Sequence, residues 1–126
     1  MQGDEDMKIA ITSSGENTDA NVDLRFGRAV GFIIYDLEND SYIYIDNNQN
    51  LNAMQGAGIQ AAQNVVNQNV DAIITGNCGP KAFAVLSQAG IKIYIGAEGT
   101  VKETIDKYRN NELHEAQNAN VEGHWI

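Results

Sequence analysis

The segment Ala72-Ile73-Ile74-Thr75-Gly76-Asn77-Cys78-Gly79-Pro80-Lys81-Ala82-Phe83 constrains the fold of this chain more than any other. An apolar, β-branched run, a glycine-flanked turn and a proline in that order read as a buried strand, a tight turn and the start of a helix. Proline suits the first helical position, where its missing N–H would have had no partner, so the helix is predicted to begin at Pro80.

Cys78, the chain's only cysteine, would then lie just ahead of a helix N-terminus, facing unpaired amides and the positive end of the dipole. Such a position can hold an anion or lower a thiol pKa. The competing reading is that Gly76 and Gly79 only supply turn geometry and Cys78 is a small buried filler.

The flanking sequence supplies the rest of an alternating pattern. Lys8-Ile9-Ala10-Ile11-Thr12, closed by Ser13-Ser14-Gly15, reads as a first strand, followed by a polar loop to about Asp23. Gly31 to Asp36 and Tyr42 to Asp46 are β-branched and aromatic runs at hairpin spacing, so they are expected to pair antiparallel. The Asn-rich stretch Asn47 to Asn52 reads as a loop. From Gln55 to Gln68 the residues Ile59, Ala62, Val65 and Val66 recur at helical spacing, and Asp71 to Thr75 is the next strand. The helix from Pro80 carries Ala82, Leu86 and Ala89 on one stripe and ends against Gly90, before a strand Ile91 to Ile95. Thr100-Val101-Lys102-Glu103 is a capping-box pattern opening a last helix, in which Val101, Ile105 and Tyr108 share a face and Glu103 can pair with Lys107. Alternating helix and strand predicts a parallel portion of sheet with right-handed crossovers. The expected result is an α/β fold of five strands and three helices, a mixed sheet covered on both faces.

The chain of 126 residues reads as one domain over 7–113, with residues 1–6 a short tail and 114–126 a polar C-terminal tail holding His114, His124 and Trp125. A single cysteine excludes an intrachain disulfide and a four-cysteine zinc or iron–sulfur site within one chain. The formal charge of −9 argues against broad binding to nucleic acid or acidic membranes, which depends on Lys and Arg. No apolar run approaches a membrane span and the acidic start is unlike a signal peptide, so a cytoplasmic protein is expected.

In an open α/β sheet, ligands collect beyond the carboxyl ends of the parallel strands. Those ends are Thr12-Ser13-Ser14-Gly15, Thr75 to Gly79 and Ile95-Gly96-Ala97, all small, polar or glycine-rich, so backbone amides can approach a ligand closely. Arg25-Phe26-Gly27-Arg28 leaves the first strand's loop and can bring cations over the same edge. The residues singled out for an anion site are Ser13, Arg25, Arg28, Gly76, Asn77, Cys78, Gly79 and Lys81.

Five strings occur in a distinctive order: Val22 to Ala29, Gly56-Ala57-Gly58-Ile59-Gln60-Ala61-Ala62, Gly76 to Phe83, Ala89-Gly90-Ile91-Lys92 and Gly99 to Glu103. Together they resemble the dinitrogenase iron–molybdenum cofactor biosynthesis family, which includes the NifX carrier and the carboxy-terminal domain of NifB, over Met7 to Leu113. The resemblance implies a three-layer α/β/α sandwich of the ribonuclease H-like type with sheet order 3-2-1-4-5. It also implies binding of an iron–sulfur cluster or an iron–molybdenum cofactor precursor, held for transfer between donor and acceptor proteins rather than turned over. Members that carry the nitrogenase cofactor often have histidine before the Phe-Gly pair, where this chain has Arg25. Arginine stays protonated and cannot ligate a metal, though it can hydrogen-bond cluster sulfides or carboxylates. Cys78 is the candidate thiolate ligand.

Other functions have less support in the residues. A fold-based nuclease reading needs clustered carboxylates, whereas the first strand has no acidic residue and Asp71 lies at the wrong end of its strand, leaving only Asp36 and Asp71 to test. A metal-free regulatory module could instead recognise a phosphate-bearing small molecule at the Gly79-Pro80 helix start. No triad spacing supports a hydrolase, since both histidines fall in the tail.

Overall fold

The computed structural model describes residues 8–48 and 56–120. The expectations for residues 1–6, for Gln55, for the part of the Asn-rich loop beyond Asn48, and for His124 and Trp125 lie outside those residues. Among the described residues the chain forms β1 (Lys8–Ser13), β2 (Gly31–Asp36), β3 (Ser41–Asp46), α1 (Ala57–Val66), β4 (Ala72–Ile74), α2 (Pro80–Gln88), β5 (Lys92–Tyr94) and α3 (Val101–Arg109). The five strands make one mixed sheet in the order β3-β2-β1-β4-β5. β1 pairs antiparallel with β2 and parallel with β4, and β4 pairs parallel with β5.

Side-chain alternation decides which layer each residue joins. Ala10, Phe32, Ile34 and Ile73 face α1 and α2, where they pack with Ala61, Val65, Ala82 and Leu86. Ile9, Ile11, Ile33, Ala72 and Ile74 face the other way, onto Val101 and Ile105 of α3. A period of two on each central strand with both faces apolar is what a sheet covered on both sides requires. The arrangement is the three-layer, ribonuclease H-like sandwich expected.

The helix boundaries follow local chemistry. Pro80 opens α2 with Gly79 in extended conformation as its N-cap. At α3 the Thr100 hydroxyl accepts from Glu103 N at 3.1 Å and Glu103 Oε1 accepts from Thr100 N at 2.9 Å, which completes the predicted capping box. Val101 and Ile105 are buried and Tyr108 half-buried on the expected face. Ala89, assigned to the apolar stripe of α2, is instead its exposed C-cap. No helix among the described residues is long and apolar enough to cross a membrane.

Residues 114–120 are bonded back onto the domain. Glu115 bridges Tyr94 in antiparallel fashion and Ala116 N donates to Ile93 O at 2.7 Å on the β5 edge, and Asn120 N then donates to Cys78 O at 3.2 Å in the β4–α2 turn.

Candidate functional site

The carboxyl ends of β1, β4 and β5 point to one edge of the sheet, and the loop joining β1 to β2 folds across that edge. Its path is set by Asp23. Asp23 N donates to Thr12 O at 2.9 Å, while its carboxylate accepts from Arg25 N at 3.2 Å and Val30 N at 3.0 Å. Beneath it, the buried hydroxyls of Thr12 and Thr75 lie 2.9 Å apart, and Thr12 donates to Asp23 O at 2.7 Å. This threonine pair ties the ends of β1 and β4 to the start of the loop.

Within Arg25-Phe26-Gly27-Arg28 the side chains separate by polarity. Phe26 is fully buried with its ring 5.6 Å from that of Phe32, which anchors the loop by about 2 kcal/mol of apolar burial. Arg25 is exposed and Arg28 half-buried. A Cβ at Gly27 would lie 2.9 Å from Gly58 Cα, so the loop rests directly on the first turn of α1. On its other side Arg25 bridges Asn77, Phe26 N donates to Asn77 O at 3.1 Å and Asn77 Nδ2 donates to Leu24 O at 2.9 Å. The arginine loop is thus held between the start of α1 and the turn joining β4 to α2.

A cleft of about 460 Å³ opens where the loop meets that turn, lined by Ser14, Asn21, Val22, Asp23, Leu24, Arg25 and Asn77. Of the residues expected at the site, Arg25 and Asn77 line it. Gly76 lies beneath it, Gly79 is the buried N-cap of α2, and Lys81 is exposed in the first turn of that helix. Ser13 is buried, and its hydroxyl is bound to Gly15 O at 2.6 Å, so it shapes the turn. Arg28 shares the loop but is absent from the lining. Among the described residues the Arg25 guanidinium has no hydrogen-bond or ion-pair partner.

Cys78 corrects the expectation of a reactive thiol. Its side chain is fully buried in the apolar layer with Phe26, Ala82 and Leu86, and burial pushes the thiol up to about 12. Removing the thiolate from water outweighs the helix dipole, and the Cys78 N–H is already donated to Asn120 Oδ1 at 2.8 Å. The sulfur contacts Gly79 O at 3.6 Å. The small-filler reading is the one this geometry matches, and a metal–thiolate bond at Cys78 would require turning the side chain out of the core. Nor do the described residues hold a cluster of three or more His, Cys, Asp or Glu placed to bind a metal ion.

Ser14 belongs to one of the strand-end segments expected to face a ligand, whereas sequence reasoning missed Asn21, Val22, Asp23 and Leu24 as lining residues, since they stood in a polar loop or a family string. It also missed Asn47. That side chain is fully buried and donates to Gly27 O at 3.1 Å and Ala29 O at 3.0 Å, gripping the carbonyls on either side of Arg28. The carboxylates considered for a nuclease lie elsewhere. Lys8 N donates to Asp71 at 3.1 Å, and Asp36 accepts from Glu38 N and Asn39 N in the β2–β3 turn, at the end of the sheet opposite the cleft.

Comparison with known proteins places this geometry. The apo form of the orange protein from Desulfovibrio gigas superposes with a TM-score of 0.90 at 36% identity, over 93% of this chain and 98% of that one. A candidate NifB protein from Thermotoga superposes with a TM-score of 0.80 at 35% identity, over 93% and 99%. An uncharacterized protein of Methanocaldococcus jannaschii is 33% identical over 109 residues, 85% of this chain and 89% of that protein. The profile of the dinitrogenase iron–molybdenum cofactor family matches residues 7–111, which take in the arginine loop, the α1 start and the β4–α2 turn. With nearly the whole domain matched, the chain belongs to the dinitrogenase iron–molybdenum cofactor family.

Proposed function

We propose that this protein is a non-enzymatic carrier that receives a preassembled, anionic metal–sulfur cluster from one protein and releases it to another. The cargo class is the iron–molybdenum cofactor or an iron–sulfur precursor of it. The cluster would arrive with its own ligands complete and be held in the cleft by charge and hydrogen bonds.

One observation carries this reading: Arg25 lines the cleft with a guanidinium that has no partner among the described residues, while the only thiol is buried away from it. Guanidinium donors suit bridging sulfides and carboxylates, and neither contact asks the protein for a metal bond. Arg28 and Lys81 add positive potential at the same edge of an otherwise acidic chain. The metal-free reading, a phosphate-bearing ligand at the α2 start, has weaker support because the Cys78 amide there is already bound by Asn120.

The test is anaerobic titration with a synthetic, thiolate-capped [4Fe–4S] dianion, followed by gel filtration and iron analysis. Wild type and Cys78→Ala are expected to retain the cluster alike, and Arg25→Ala to bind about ten- to a hundredfold more weakly. Loss of binding in a folded Cys78→Ala variant would restore the thiolate as ligand. Thermal stabilisation by inorganic pyrophosphate, with no cluster bound, would favour the phosphate module.

A further inference from the structure

We infer that Asn120 is a positioning residue for the cleft, through which the C-terminal segment clamps the arginine loop. Four hydrogen bonds form the clamp. Asn120 Oδ1 accepts from Cys78 N at 2.8 Å, Asn120 N donates to Cys78 O at 3.2 Å, and Asn120 Nδ2 donates to Asn77 Oδ1 at 2.9 Å. Asn77 Nδ2 then donates to Leu24 O at 2.9 Å.

The donor and acceptor pattern makes this a directed relay. An amide offers one acceptor oxygen and two N–H donors, so asparagine at 120 can accept from Cys78 and donate to Asn77 at once. With its oxygen engaged by Asn120, Asn77 is left presenting its NH₂ group to Leu24 O. Leu24 adjoins Arg25, and Phe26 N is bound to Asn77 O at 3.1 Å, so the same turn residue holds the loop on both sides of the arginine. The reach of the tail is set upstream, where Ala116 N donates to Ile93 O at 2.7 Å. A segment of low local propensity is thereby fastened at two points, by the β5 edge and by the β4–α2 turn.

That the clamp matters for an anionic cluster rests on the carrier reading above, whereas the clamp itself can be tested without any ligand. Hydrogen exchange of the full chain and its Asn120→Ala variant is compared by NMR. Exchange at Phe26 and Cys78 is expected to rise about three- to tenfold in the variant, as for loss of one or two hydrogen bonds, with Ile73 in the sheet unchanged. Ala116→Pro, which removes the N–H bonded to Ile93 O while keeping Asn120, is expected to raise exchange at the same two amides. The [4Fe–4S] dianion is expected to bind both variants about three- to tenfold more weakly than wild type, with a similar unfolding midpoint.

Unchanged exchange at Phe26 in both variants would overturn the clamp. Tighter cluster binding in Asn120→Ala would overturn it too, showing that the tail blocks the cleft instead of shaping it. Faster Phe26 exchange in the variants, with no cluster binding even to wild type, would leave the clamp standing and remove the carrier reading.

Discussion

Gly76 lies directly against Leu24: a Cβ on Gly76 would sit 2.8 Å from both the Leu24 Cα and the Leu24 carbonyl oxygen. Backbone atoms cannot yield as a flexible side chain can, so this glycine is required for close approach of the β4–α2 turn to the arginine loop. Gly76→Ala is expected to push Leu24 away, strain the Asn77–Leu24 hydrogen bond and cost about 1–3 kcal/mol. Urea denaturation would check the stability loss. A loss under about 0.5 kcal/mol would mean that the loop shifts freely and that the contact does not set the cleft.

The buried thiol makes two measurements agree or disagree together. With Cys78 fully buried and its pKa pushed up to about 12, native protein at pH 8 is expected to resist iodoacetamide and react at the rate at which it opens. The same shift is linked to stability. The unfolded thiol ionises near pH 8.5 and the folded one does not, so the contribution is full below about pH 8.5 and is lost as pH rises toward the folded value. Cys78→Ala is expected to show a shallower fall in stability over that alkaline range. Rapid alkylation of native protein would show the thiol to be accessible after all.

The features read most directly from sequence are those fixed by neighbours along the chain. Pro80 at the first position of α2, the Thr100–Glu103 capping box and the β2–β3 hairpin each depend on a few adjacent residues, and each lies where expected. The site was only half legible. Arg25 and Asn77, which line the cleft, stood out because arginine and turn residues after strands carry recognisable chemistry. Asn47 was hidden in an asparagine run, because its burial depends on carbonyls at Gly27 and Ala29, distant in sequence and brought near by the hairpin. Asn120 carried no periodic signal at all, since its partners belong to a turn that local pattern cannot connect to the tail. For Cys78 the sequence leaves two readings open for a related reason. A helix start can be read from Pro80, but whether the residue before Gly79 faces water or core is decided by the packing of Phe26 and Leu86 around it.

At α3 the capping box predicts an acid-side effect. Hydrogen bonds from Thr100 hold the Glu103 carboxyl below its usual range, aided by attraction to Lys107. A lowered folded pKa contributes stability that is full above the ordinary glutamate value of about 4.3 and is lost as pH falls through the folded value. Glu103→Gln keeps an acceptor for the Thr100 N–H but has no proton to bind, so its stability is expected to fall less steeply than wild type below about pH 4.3. Thr100→Ala, which removes the hydroxyl acceptor, is expected to lose about 1 kcal/mol at neutral pH. Parallel acid slopes for wild type and Glu103→Gln would show that the carboxyl contributes nothing to the cap.

Asn47 allows the grip on the arginine loop to be separated from simple packing. Its Nδ2 serves Gly27 O and Ala29 O, and its backbone N–H serves Val30 O at 2.9 Å, all out of contact with solvent at the side chain. Asn47→Ala leaves at least one buried carbonyl without a donor and is expected to cost about 1–3 kcal/mol. Asn47→Asp has nearly the same shape but turns an oxygen toward two carbonyls. The introduced carboxyl can donate only when protonated, so burial against those carbonyls raises its folded pKa above the ordinary value of about 3.9. A raised acid contributes stability that is full below the unfolded pKa and is lost as pH rises, so this variant is expected to lie closer to wild type at about pH 4 than at about pH 7. The two variants are compared by chemical denaturation at both pH values. An Asn47→Asp deficit that does not grow with pH would mean that volume, and not the donated hydrogen bonds, is what this position supplies to the loop carrying Arg25 and Arg28.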